Sequence, residues 1–311
     1  MASTTHKKAV LASLPRRTSY ALLFSSGRRA VWRVLNYLVM ILLALFFLFP
    51  LIFMVVSSLK ASETQILQDM GTIRAVIPYG SLSLQNYSDV FQRTPFALYL
   101  LNTLFIVICI VVSGLIVNSL IAYALARISF TGHKIILVLV VVLITIPFES
   151  VAVPLLLLVN QVPWFGGMTT WVDSYQVQIV PFIADAFSIF LFYQSFMDIP
   201  RDFEEAARVD GASRLRMYWQ IILPLSRPAF ATVAIWLSLT HLDDFLWPLL
   251  ATRGYTYRPL MVGMRAFFNQ APQHWGDIMA FASMSTVPVL IAFILLQRWF
   301  LRSAISTGIK G

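Results

Sequence analysis

The chain has 311 residues, of which 59% are hydrophobic and only 12% charged, and it carries a formal net charge of +9. Soluble domains are roughly 25% charged, and a water-exposed fold of this size could not hide so much apolar surface, so composition points to a membrane protein. The basic residues lie mostly beside apolar runs, which argues against a nucleic-acid partner. The single cysteine, Cys109, sits inside such a run, so neither an intrachain disulfide nor a cysteine-rich metal site is expected. His6, His133, His241 and His274 are scattered without metal-ligand spacing, and no G-x4-G-K-[ST] loop is present to cradle ATP phosphates.

Residues 1–33 are polar and basic and read as a flexible cytoplasmic tail, too long and charged for a cleaved leader. Contact with anionic lipid suits these charges. The first span is expected over Val34–Val56, long enough to cross roughly 30 Å of hydrocarbon. Residues 57–95 read as a mixed polar loop broken by Pro78, Gly80 and Pro95, with a short amphipathic helix at Asn86–Phe91. The second span, Ala97–Ala124, and a short loop from Arg127 to Lys134 lead to a third span, Ile135–Leu158, which contains Pro147, Glu149 and Pro154. Trp164 and Trp171, in the next loop, suit a membrane interface. The fourth span is expected over Gln176–Phe196, the fifth over Ala229–Leu250 and the sixth over Ile278–Phe300, with a polar loop at Ala251–Asp277 and a tail at 301–311. With the N-terminus inside, 17 Lys/Arg fall on the cytoplasmic side and six outside. The positive-inside rule therefore places both termini and the loop between spans four and five in the cytoplasm.

Within these spans lie Glu149, Asp185, His241, Asp243 and Asp244. Ionisable groups at membrane depth face a bundle interior or a wet cavity. Asp185, near mid-span, is the leading candidate for a translocation path or gate. Asp243 and Asp244 are read either as path residues or as structural partners, and Glu149, beside Pro147, as structural. Phe187, Phe190, Phe192 and Tyr193 could stack on sugar rings, although packing is the commoner use of aromatics in spans.

The loop between spans four and five, Pro200–Pro228, is the most charged stretch between the first span and the C-terminus. Pro200 and the acids Asp202, Glu204 and Glu205 favour a helix start. Gly211 ends that helix or bends it. Leu215, Tyr218, Trp219, Ile222 and Leu223 then recur at helical spacing, with Pro224 and Pro228 expected to close the second helix. Gly211-Ala212-Ser213 could suggest a serine protease motif, but a histidine at membrane depth to complete a dyad is not evident beyond His241. No catalytic residue is therefore assigned. A potassium-filter sequence is also absent.

Glu205-Ala206-Ala207, three residues, Gly211, nine residues, then Ile221-x-Leu223-Pro224 matches the EAA loop of membrane subunits of binding-protein-dependent ABC importers. The chain resembles this MetI-like superfamily over nearly all of its length after residue 34, and most of all its MalG-like carbohydrate permeases. Supporting stretches are Leu84–Phe91, Ala122–Lys134, His274–Ala280 and Gln297–Gly311. The resemblance implies an all-α, polytopic membrane protein of six spans, with a cytoplasmic coupling helix between spans four and five. Its implied partners are a second homologous permease subunit, a dimer of ATPase subunits that uses ATP and Mg, and an extracytoplasmic solute-binding protein; this chain would bind no cofactor itself. Glu204, Glu205, Ala206, Ala207, Asp210, Gly211, Ile221, Leu223 and Pro224 would form the ATPase-coupling site. Arg253, Tyr255 and Arg258 would touch the binding protein, and Gly308 and Lys310 would reach the ATPase. The implied cargo is a carbohydrate, polyol or sugar phosphate; the rival reading is a stand-alone secondary transporter or channel.

Overall fold

A computed structural model describes the backbone of residues 18–308 except 165, 166 and 168, and the side chains of residues 31–294 outside that gap. The described residues are helical, with an isolated antiparallel bridge between Lys60 and Leu82. Helix α1 spans Thr18–Ser58, so part of the expected tail is helical; residues 1–17 lie outside the described residues. The segment that follows is a folded cap rather than a loop. It contains α2 (Glu63–Asp69), a 3-10 turn (Ile73–Val76) and α3 (Gln85–Arg93). Its centre is Lys60, 1% exposed, whose Nζ lies 2.7 Å from Asp69 Oδ2 and 2.9 Å from the Arg74 carbonyl oxygen. Asn86 Nδ2 donates to the carbonyls of Ser58 (2.8 Å) and Lys60 (2.9 Å), tying α3 to the end of α1.

The central element is α4, Phe96–Arg127. Its 32 residues contain no proline, and at about 1.5 Å per residue it is about 48 Å long. The third expected span is instead a bent pair, α5 (His133–Thr145) and α6 (Phe148–Val159), which meet at 106°. Pro147 causes the break: it disfavours helix at Ile146, whose φ −83° and ψ 117° are extended, and it starts α6. Glu149 is exposed in the first turn of α6, where the helix dipole favours a carboxylate.

The fourth expected span is interrupted as well. Helix α7 (Tyr175–Ile179) and a 3-10 turn (Val180–Phe182) precede α8 (Ala186–Met197). Asp185 is the N-cap of α8: its Oδ2 accepts from Ser188 N at 2.7 Å and from Ser188 Oγ at 2.5 Å. The freed backbone is satisfied by Asn118 of α4, which is fully buried. Asn118 Nδ2 donates to the Ile183 carbonyl (3.2 Å), and its Oδ1 accepts from Asp185 N (2.9 Å). Phe192 stacks on Phe196, and Phe187 lies 4.6 Å from Trp236, so these aromatics pack rather than line an open groove.

After the charged stretch, α11 (Arg227–Leu242) stops at Asp243, and α12 (Leu246–Ala251) resumes beyond Phe245. The fifth expected span is thus two helices, parted at Asp243-Asp244-Phe245, where adjacent aspartates of low helix propensity sit. The expected polar loop contains α13 (Leu260–Phe268), and α14 runs from Trp275 to Gly308, past the expected span end at Phe300. Among the described residues, four helical stretches can cross a membrane by length and composition, and up to six if each bent pair counts as one span.

The largest apolar core joins α4, α8 and α11 through Ala122, Tyr123, Phe192, Phe196, Val233 and Leu237. A second core at the other end of α4 joins Val90, Phe96, Tyr99, Phe267 and Phe281. Replacing Asn118 by Leu leaves the Ile183 carbonyl and Asp185 N–H without their partner. The expected cost is about 1–3 kcal/mol, the usual penalty for an orphaned buried polar group. Thermal unfolding in detergent should show a lowered midpoint for Asn118→Leu, and a smaller loss for Asn118→Ser.

Candidate functional site

The charged stretch folds as a helix, a glycine corner and a second helix. Helix α9 spans Asp202–Val209, with Asp202, Glu204 and Glu205 in its first turn. Its end is a Schellman closure: Gly211 N donates to the Arg208 carbonyl (3.0 Å) and Ala212 N to the Ala207 carbonyl (2.9 Å). Gly211 has φ +79°, and a Cβ there would meet no atom within 4 Å, so glycine supplies the left-handed backbone rather than room. Ser213 caps the next helix by accepting from Arg216 N at 3.3 Å, which accounts for the serine in Gly211-Ala212-Ser213.

Helix α10, Arg214–Leu225, widens to a π turn over Tyr218–Ile222. Pro224 lacks an N–H and crowds the carbonyl four residues earlier, and a wider turn relieves that clash. Met217, Tyr218 and Ile222 are buried, whereas Leu215 and Trp219 are exposed, so the single apolar face expected from spacing is split. Tyr218 OH hydrogen-bonds Ser119 Oγ at 2.7 Å, and Tyr123 OH donates to the Arg214 carbonyl at 3.1 Å. Pro228 does not close α10. It lies in the first turn of α11, after a 79° bend at Ser226.

Glu204 and Glu205 point in opposite senses. Glu205 is exposed, but Glu204 is only 6% exposed and lies with Oε1 3.1 Å from Arg127 Nε. The N–H is not aligned on that oxygen, so the contact is an ion pair. Arg127 Nη2 also donates to the carbonyls of Phe196 and Ile199, the latter at 2.6 Å, at the free end of α8. One buried arginine therefore ties α4, α8 and α9 together. Glu204, expected on the coupling surface, belongs to this interior. The sequence alone offers Arg127 as an inside positive charge within the family-like stretch Ala122–Lys134, with no structural role; an arginine in the last turn of an apolar span is the available signal.

Around the corner, Glu205, Ala206, Arg208, Asp210 and Gly211 are exposed and Ala207 is half-buried. Phe203, Val209 (88% exposed), Leu215 and Trp219 add apolar surface among these charges. Ile221, Leu223 and Pro224 are half-buried, and Leu223 packs against the main core, so this end of the motif seats the second helix.

The remaining expected site residues lie elsewhere. Asp243 is exposed at the break after α11. Asp244 Oδ2 lies 3.9 Å from His241 Nδ1, and both line a narrow cavity with Thr103, Gln178 and Trp247. Asp185 is not among its walls and is occupied in capping α8. In the segment before α13, Arg253 N donates to Asp173 Oδ1 (3.1 Å), Arg258 Nη2 donates to the Arg253 carbonyl (3.3 Å), and Tyr255 is exposed. Gly308 is the last residue of α14, and Lys310 lies outside the described residues.

The two glutamates should respond differently to substitution. Glu204→Ala leaves Arg127 buried without its carboxylate, a change that costs about 3–5 kcal/mol for broken buried pairs. Glu205→Ala should leave the unfolding midpoint in detergent nearly unchanged. Equal midpoints for the two variants would show that the Arg127 pair does not hold α9.

The family described as binding-protein-dependent transport system inner membrane component matches residues 114–306. The arabinooligosaccharides transport system permease protein AraQ of Bacillus subtilis is 30% identical over 92% of this chain and 99% of its own length. The trehalose/maltose transport system permease protein MalG of Thermococcus litoralis is 32% identical, covering 90% of this chain and 97% of its own. The sn-glycerol-3-phosphate transport system permease protein UgpE of Yersinia pestis is 30% identical over 87% and 95%. Among solved structures, a bacterial ABC transporter involved in import of the acidic polysaccharide alginate superposes with a TM-score of 0.75 at 22% identity, covering 92% of this chain and 100% of that one. With a helix–glycine corner–helix at the end of an all-helical, span-rich fold, and a family match across both, this chain belongs to the inner membrane components of binding-protein-dependent transport systems and is an ABC importer permease subunit.

Proposed function

We propose that this permease subunit moves a carbohydrate, polyol or sugar phosphate inward, delivered by an extracytoplasmic binding protein and driven by a separate ATPase dimer that holds ATP and Mg. A second, homologous permease subunit completes the path. Six spans cross the membrane with both termini inside, in line with the 17-to-six distribution of Lys/Arg. The observation that carries the coupling role is the exposed corner formed by α9 and α10. It sets apolar Phe203, Val209, Leu215 and Trp219 among charges while Arg127 and Tyr218 fix its base. Exposed apolar patches rimmed by polar groups mark protein contacts, and the partner here is the ATPase groove. Glu205 would meet a basic residue there through a charge-assisted contact. Asp243 and Asp244, at the break after α11, line the path, and Asp185 shapes it by fixing the break before α8. Arg253, Tyr255 and Arg258 face the docked binding protein. Gly308 and Lys310 extend toward the ATPase. The cargo class rests on the names of the similar permeases, which cover oligosaccharides, disaccharides and glycerol 3-phosphate.

Glu205→Lys places like charge against the ATPase, and Gly211→Asp penalises the positive φ of the corner. Both proteins should reach the membrane at near-normal levels, lose ATPase co-purification and lose binding-protein-stimulated ATP hydrolysis. If either variant retains the ATPase and its stimulation, that residue is outside the coupling contact. The cargo is identified by titrating the cognate binding protein calorimetrically with maltose, an arabino-oligosaccharide mixture and glycerol 3-phosphate. Binding of none of the three would remove the proposed cargo class.

A further inference from the structure

We infer that α4 is a rigid strut that links the binding-protein side of the permease directly to the coupling corner, with Asn102 and Arg127 as the positioning residues at its two ends. The inference rests on the coupling reading above. At the cytoplasmic end, Arg127 holds Glu204 of α9 and the carbonyls of Phe196, in the last turn of α8, and Ile199, just after it. At the other end, Asn102 is 1% exposed and makes a matching clamp. Its Nδ2 donates to the carbonyls of Thr256 (2.9 Å) and Arg258 (3.0 Å), and its Oδ1 accepts from Tyr175 OH (2.7 Å). Thr103 adds a third tie, because its Oγ1 accepts from Leu260 N at 2.8 Å. The segment that carries Arg253, Tyr255 and Arg258 is thus fastened to α4 through its own backbone.

Between these clamps α4 has no proline and no break. Asn102 and Arg127 are about 37 Å apart at about 1.5 Å per residue. An unbroken helix transmits translation and tilt along its axis, whereas the third expected span bends by 106°, the fourth is interrupted before Asp185 and the fifth after Asp243, and the other two long helices, α1 and α14, carry Pro50 and Pro288 in their interiors. A shift of the 252–260 segment on docking is therefore delivered to α9 without crossing a hinge. Both clamps use one planar fork on two carbonyls, which fixes direction as well as distance.

A double-mutant cycle on the complete importer tests this. Arg127→Lys keeps the charge near Glu204 but loses the fork; Asn102→Asp keeps the acceptor for Tyr175 but loses both donors. The quantity read is ATP hydrolysis with the loaded binding protein divided by hydrolysis without it, using whichever of the three solutes above the binding protein takes. ATPase co-purification and the unfolding midpoint serve as controls for assembly and folding. Each single variant should retain the ATPase and lower the ratio about tenfold, a typical coupling factor. The double variant should lower it no further, while the midpoint losses of two sites so far apart should add. Independent, multiplying losses in the ratio overturn the strut, as does an unchanged ratio in either single variant. If the unmodified complex shows no stimulation at all, the coupling reading itself fails and the strut falls with it.

Discussion

Every backbone N–H and C=O at membrane depth must find a partner, because hydrocarbon offers none. This constraint decides where the chain can bend. The breaks at Ile146–Pro147, before Asp185 and after Asp243 all free carbonyls or N–H groups that an unbroken helix would have used. At the second break the answer is explicit: Asn118 answers both a carbonyl and an N–H, while Asp185 answers the first turn of α8. Asp185, which looked like a candidate for solute contact, is thereby explained as part of the means by which this broken span persists. A solute path built from such breaks inherits polar walls without requiring lipid-facing charge.

The same logic explains the buried arginine. Removing a guanidinium and a carboxylate from water is costly, and an ion pair alone rarely recovers that cost. Arg127 recovers more because its Nη2 donates to two carbonyls at the end of α8, those of Phe196 and Ile199. The arrangement gives position rather than great stability. It leaves the outer face of α9 free of structural duties, so Glu205, Arg208 and Val209 can meet a partner while the helix beneath them stays put.

Much of this was legible in the sequence. The apolar runs marked the spans, the EAA spacing marked the corner, and Gly211 marked its turn, since a left-handed residue closing a helix is a local property. What was hidden depends on long-range pairing. Glu204 and Glu205 are adjacent acids in one helical turn, and nothing local says which faces inward; Arg127, far away in sequence, decides it. Lys60 counted only as one of the six positive charges outside, yet it is the buried centre of a folded cap because Asp69 and the Arg74 carbonyl surround it. Pro147 was visible as a breaker, but a proline in an apolar run gives no angle; a bend of 106° depends on what α6 packs against. Leu215 and Trp219 fit a helical stripe with Tyr218 and Ile222, and only the packed bundle shows that one pair is covered and the other bare.

Small residues explain why α4, rather than another span, sits at the centre. A Cβ on Gly114 would lie 2.8 Å from Leu237 of α11, so its absence lets the two helices approach midway along α4. At the other end, the Tyr99 ring occupies the place where a Cβ on Gly263 of α13 would stand. Packing of this closeness is directional: sliding α4 along its axis would drive Leu237 off the glycine and Tyr99 out of its notch together. The fold therefore leaves α4 little freedom to slip past its neighbours and makes movement with them the easier mode. A helix fixed in this way at its middle and clamped by polar forks at both ends carries displacement between the two faces of the membrane because its packing closes the softer alternatives.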